Sequence, residues 1–189
     1  MTQIPDLAMP SNIPINLIID DPDWDRMLPD ALAVAQRAWQ QVAAVQPDLT
    51  KHRIDIVLAD DDLLQQLNRD HRGRDKPTNV LSFSYSDDDA PPIPATQLAD
   101  ALADQPTGEL YLAAGVVSAE AAAGGLSIAH HFAHLIVHGL LHLLGYDHEL
   151  DEEAEEMEAL ETQILAQMGI ANPYHDCDTN HSTQGRNPS

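Results

Sequence analysis

Apolar and polar positions follow two rhythms along this chain. Alternation with a period of two marks strands. "INLIID" (15–20) reads as a short strand, and "RIDIVL" (53–58) alternates and then turns apolar, as a partly buried strand would. "TNVLSFSY" (78–85) sets Leu81, Phe83 and Tyr85 on one face and Val80, Ser82 and Ser84 on the other, and "GELYLAA" (108–114) is the next strand. A helical period governs the segments between them. Residues 30–46 carry Leu32, Ala35, Trp39 and Val42 on one predicted face. "ADDDLLQQLNRDH" opens with cap-forming Asp residues and groups Leu63, Leu64 and Leu67. "GVVSAEAAAGG" suits a short helix ended by Gly124 and Gly125. Ser127 is placed to cap a helix over 128–144. That helix is apolar on nearly every side apart from its histidines, which predicts burial. A last helix, about 149–168, turns Met157, Leu160, Ile164 and Met168 inward and carries a densely acidic first half.

The period therefore predicts one α/β domain over residues 1–174. The acidic, Pro- and Ala-rich stretch 86–106 is expected to be a surface excursion, and 175–189 a disordered tail. With 189 residues, 43% of them hydrophobic but only 4% aromatic, the core must be filled by Leu, Ile, Val and Ala. No apolar run reaches the roughly 18 residues of a membrane span, and the first residues lack a basic region leading into an apolar one. No membrane association and no secretory signal are therefore expected. The single Cys177 excludes an internal disulfide and fits the cytoplasm.

A net charge of −22 argues at first against nucleic acid, because a phosphate chain would be repelled. The distribution changes that reading. Four of the nine Lys and Arg residues fall in "RDHRGRDK": Arg69, Arg72, Arg74 and Lys76. An anionic substrate is therefore expected to meet the 69–76 segment.

The stretch "HGLLHLLGYDH" (138–148) holds the candidate chemistry. His138 and His142 lie one helical turn apart, so their imidazoles point the same way and suit one zinc ion at about 2.0–2.1 Å. Gly145 permits a sharp turn after the helix that returns His148 as a third ligand. Three protein ligands leave a fourth position for water, the pattern of a catalytic site with one Zn2+ per chain. Asp147 and His134 are candidates to orient a ligand imidazole, although His134 suits a packing role equally well. Metalloproteases place a Glu after the first His, where this chain has Gly139. Amide hydrolysis needs proton delivery to a poor leaving amine, whereas phosphodiester cleavage needs charge stabilisation, a task suited to Arg. Gly139 thus shifts the expected substrate from peptides to phosphate esters.

These residues resemble the YbeY family of bacterial endoribonucleases over roughly 50–175. "HGLLHLLGYDH" is similar to the family signature, "HRGRDKPTNVLSF" to its second block, and "EEAEEMEALETQIL" to its C-terminal helix. The resemblance implies zinc held by His138, His142 and His148 and an essential Arg72. Arg74 and Lys76, in the same basic segment, are weaker candidates for backbone contact. The resemblance also supplies the fold count: a small mixed sheet of about four strands packed by about five helices, with the metal-binding helix central. It implies RNA as partner, specifically the 3′ end of 16S ribosomal RNA on the small ribosomal subunit, together with ribosome quality control. DNA is not expected, and a ribosomal or assembly-factor protein is a further possible partner. Ser84 stands where a Pro is common in the family, and Glu109 where an Asp is. Two rivals stay open from the residues alone. One is a metallopeptidase whose base comes from Glu109 or Glu149. The other is a ribosome-assembly factor whose zinc is structural.

Overall fold

The structure, a computed structural model, describes residues 13–85, 106–146 and 151–174. The expected excursion at 86–106, apart from its last residue, and the expected tail at 175–189 lie outside the described residues. Four strands form one mixed sheet: β1 (Ile15–Ile19), β2 (Ile54–Ala59), β3 (Val80–Ser84) and β4 (Gly108–Ala113). Their order is β1-β2-β4-β3, with β1, β2 and β4 parallel and β3 running antiparallel to β4 along one edge. The described helices are α1 (Asp23–Met27), α2 (Ala31–Val45), α3 (Asp61–Arg72), α4 (Ala114–Ala123), α5 (Ile128–Leu143) and α6 (Asp151–Gln167).

Alternation along the strands divides the core in two. Ile54, Ile56, Leu58, Leu110, Leu112 and Val80 face a thick layer made by α2, α5 and α6. Val57, Ala59, Leu81 and Ala113 face the thinner cover provided by Leu64 of α3. The expected four-stranded mixed sheet and central helix are therefore present. The helix count is six rather than five among the described residues, because α1 is a single turn too short to show a period. It is pinned by Trp24, which is fully buried, donates its indole N–H to the Ala59 carbonyl at 3.0 Å and lies edge-on to Phe132.

One inward assignment is corrected. The buried stripe of α2 runs through Ala31, Ala35, Ala38, Trp39 and Val42, which turns Leu32 outward to 43% exposure. Small alanines on that stripe let α2 come close to α5, so the largest aliphatic side chain of the first turn is not the one buried.

Helix α5 enters on the predicted cap: the Ser127 side chain accepts the His130 N–H. It buries Phe132, Leu135, Ile136, Val137, Leu140 and Leu141 from several sides, as its uniform apolarity requires. Gly139 lies tightly against the sheet. A Cβ there would lie 2.7 Å from Leu110 Cδ2 and 3.3 Å from Ser82 Oγ. The residue after the first histidine thus points into the helix–sheet interface. We expect Gly139→Glu, which writes H-E-x-x-H into the chain, to confer no robust peptidase activity and to lower the melting temperature by several degrees. Overpacking costs about 1–3 kcal/mol and a carboxylate buried without a partner adds to it. Rapid casein cleavage by a normally stable variant would contradict this.

Candidate functional site

Helix α5 places His138 and His142 one turn apart, and their Nε2 atoms converge to 3.0 Å. The other nitrogen of each ring is held by an acceptor. His138 Nδ1 donates to Glu161 Oε1 at 2.7 Å, and His142 Nδ1 donates to the Tyr146 carbonyl at 2.8 Å. Tyr146 is itself fixed, because its hydroxyl accepts from Gln46 Nε2 at 2.7 Å. Gly145, at φ +90°, makes the turn that brings that carbonyl back over the helix end.

Glu161 comes from α6 and is fully buried. Burial pushes its carboxyl up, but hydrogen bonds from His134 and His138, the charge of His138 and the Tyr174 hydroxyl outweigh that and bring it down to about 2. The group is therefore a carboxylate at neutral pH and can only accept. Burial and the neighbouring Glu161 push the Tyr174 hydroxyl up, which keeps it a donor.

A carboxylate and a carbonyl both accept, so each Nδ1 carries a proton and each Nε2 is turned toward the other ring. With both Nε2 atoms unprotonated, their lone pairs would fit a shared cation. Two nitrogens about 2.0–2.1 Å from a tetrahedral zinc ion lie about 3.3 Å apart, within a few tenths of an ångström of the separation found. Hydrogen bonds from the far ring nitrogens to a carboxylate and a carbonyl are the support such ligands need. Among the described residues no third ligating side chain joins the pair. His148 and Asp147, and with them the expected third ligand and one orienting candidate, lie outside the described residues, as does Glu149.

His134 points away from the pair. Its Nε2 meets Glu161 Oε2 at 3.3 Å, so it supports the carboxylate that holds His138. His130 is exposed at the start of α5, and His131 turns to Glu120 at 2.9 Å on another side. The histidine stripe of the sequence thus serves several different surroundings.

The His pair opens onto a cleft of 690 Å³, also lined by Arg72, Arg74, Thr78 and Ser82. Arg72 ends α3, and Gly73, at φ +67°, turns the chain immediately after it. The basic loop is braced from beneath by Asn68, which is buried: its Nδ2 donates to the Lys76 carbonyl at 2.8 Å, and its carbonyl accepts the Arg74 N–H at 3.2 Å. Arg69, not Arg72, makes the local ion pairs, to Asp70 at 3.2 Å and Asp75 at 3.7 Å. No ion pair or hydrogen bond engages the Arg72 side chain among the described residues. Arg74 lines the cleft with Arg72, whereas Lys76 is exposed and does not line it. Glu109 lies elsewhere. It sits opposite Phe83 on the other face of the sheet and accepts from Tyr85 and Tyr111 at 2.8 and 2.9 Å.

Two participants escaped the sequence reading. Glu161 was hidden in an acidic run, yet it shares the stripe of Met157, Ile164 and Met168, four residues after the first and three before the second. An acid on an apolar stripe is the signal that could have found it. Asn68 likewise occupies a buried turn of α3 beside Leu64.

The chain is similar to known proteins over most of its length. A family model for endoribonuclease YbeY matches residues 19–169. A protein named endoribonuclease YbeY from Paramagnetospirillum magneticum is 49% identical over 168 residues, covering 88% of this chain and 98% of that one. One of the same name from Azorhizobium caulinodans is 44% identical, covering 85% of this chain and 95% of that one.

Proposed function

The chain belongs to the YbeY endoribonuclease family, and from that premise we propose that it is a zinc-dependent endoribonuclease of single-stranded RNA. Its proposed substrate is the 3′ end of 16S ribosomal RNA on the small subunit, with a role in cytoplasmic ribosome maturation and quality control. The observation that carries the reading is the cleft itself: Arg72 and Arg74 share it with the converging nitrogens of His138 and His142.

His138 and His142 would hold the ion, with His148 as third ligand. Bound there, zinc would supply Lewis acidity and an acidified water. The remaining work falls to the chain's own groups. Glu161 orients His138 and keeps its proton on Nδ1. The Tyr146 carbonyl does the same for His142. Arg72, without a local acid on its guanidinium among the described residues, presents a fork to the non-bridging oxygens of the scissile phosphate. Arg74 adds a second positive charge along the same wall. No helix of the described residues is long and apolar enough to cross a membrane.

The test incubates metal-quantified protein with precursor 16S ribosomal RNA, with assembled small subunits and with casein, each with and without chelator. We expect chelator-sensitive cutting of RNA and intact casein. Casein cleavage would restore the peptidase reading, and full rRNA maturation by metal-free protein would favour an assembly factor with structural zinc. A second expectation concerns Glu161. Glu161→Gln keeps the shape but removes the carboxylate, so zinc affinity should fall about 10–100-fold in competition with a chromophoric chelator. Unchanged affinity would show that His138 needs no such support.

A further inference from the structure

We infer that the β3 wall of the cleft recognises the ribose 2′-hydroxyl, through the side chains of Ser82 and Ser84 with Thr78 beside them. This rests on the endoribonuclease reading and assigns the groups that would discriminate RNA from DNA.

Among the described residues, strand β3 lies on the edge of the sheet, with β4 as its single strand neighbour. Its ladder is bracketed by two bonds, Tyr85 N–H to the Thr107 carbonyl at 2.9 Å and Ala113 N–H to the Asn79 carbonyl at 3.1 Å. The alternation of an antiparallel pair therefore turns the backbone groups of residues 79, 81, 83 and 85 toward β4, and those of Ser82 and Ser84 toward the open edge. The side chains of those two serines line the cleft, as does Thr78 just before the strand. Ser82 also reaches the metal helix: its Oγ is one of the atoms that would meet a Cβ at Gly139, the residue after His138. The row begins beside the His pair and runs along the edge.

None of the three hydroxyls has a hydrogen bond to another described residue. Asn79, also in the wall, is occupied: its Nδ2 donates to Glu120 at 2.9 Å, and its Oδ1 accepts the Val80 N–H at 2.7 Å. The groups of the cleft thus fall into separate chemistries. Two guanidiniums suit phosphate oxygens, which only accept. Neutral hydroxyls both donate and accept, and so match a 2′-hydroxyl, which does the same. No Phe, Tyr or Trp is among the described residues lining the cleft. Its walls therefore carry groups matched to both sugar and phosphate.

The test measures binding rather than cutting, because a missing 2′-hydroxyl could also remove a nucleophile. Full-length zinc-loaded protein is titrated by fluorescence anisotropy against a single-stranded 12-nucleotide RNA and the all-deoxy strand of the same sequence. Ser82→Ala, Ser84→Ala, the double variant and Ser84→Thr are compared, with melting curves as the folding control. The wild type should prefer RNA. Each alanine should weaken RNA binding about threefold to tenfold while leaving DNA binding unchanged, so that the double variant loses most of the preference. Ser84→Thr, which retains a hydroxyl, should retain the preference. A folded double variant with the wild-type RNA-to-DNA ratio would overturn the assignment while leaving the nuclease reading intact. Wild-type protein that binds neither strand would overturn both.

Discussion

Replacing His142 with Ala is expected to lower bound zinc well below one ion per chain and to abolish RNA cleavage, while the fold survives. The imidazole loses two functions at once. Its Nε2 is half of the converging pair, and a cation there would be left with His138 alone among the described residues. Its Nδ1 ties the end of α5 to the Tyr146 carbonyl. A hydrogen bond of this kind is worth about 1 kcal/mol, a small term beside a central helix that buries Phe132, Ile136 and Leu140 completely. Metal quantification after gel filtration, a melting curve and a cleavage assay on one preparation check the three parts. Full zinc occupancy in the variant would remove His142 from the ligand set.

Arg72→Glu should separate binding of metal from use of substrate. Zinc is expected at the wild-type level, because Arg72 lines the cleft wall opposite the histidine helix and holds neither ring. Stability should stay close to wild type. The side chain is exposed and makes no ion pair or hydrogen bond among the described residues, and Gly73 and Asn68 hold the loop without it. Cleavage, by contrast, should drop at least about a hundredfold. Loss of one charge-assisted contact to a phosphate in the transition state costs about 2–4 kcal/mol, and the reversed charge adds repulsion. Arg72→Lys should recover only part of the rate, because a point charge cannot reproduce the fork. A folded, zinc-loaded and fully active Arg72→Glu protein would end the role assigned to this residue. A marked loss of melting temperature would instead make it a support of the 69–79 segment, the alternative that the Arg69 pairs with Asp70 and Asp75 now argue against.

The same contrast shows how far local pattern carries. Alternation in "RIDIVL" and "GELYLAA" and the helical period of 128–144 were legible because they depend on neighbours within a turn or two. So were the His138–His142 pair, which any regular helix must place on one face, and the turn at Gly145. The basic segment could be read as the meeting point for an anion because charge is a property of composition alone. Leu32 was misplaced for a related reason. Periodicity names an apolar stripe, but which edge of it is covered depends on how closely α2 meets α5.

By itself, then, the sequence determined the elements, the pair of ring nitrogens and the place of positive charge. Tertiary structure decided what these meet. It set Glu161 against a histidine 23 residues earlier, because only packing of α6 on α5 brings that acid to the pair. It put Arg72 across one cleft from His138 by running β3 along the edge of the sheet next to α5. It also gave Gly139 its reason, the approach of Leu110 and Ser82 from two strands. Each of these depends on distances between elements far apart in the chain. Such distances follow from how whole faces pack, and no local period encodes them.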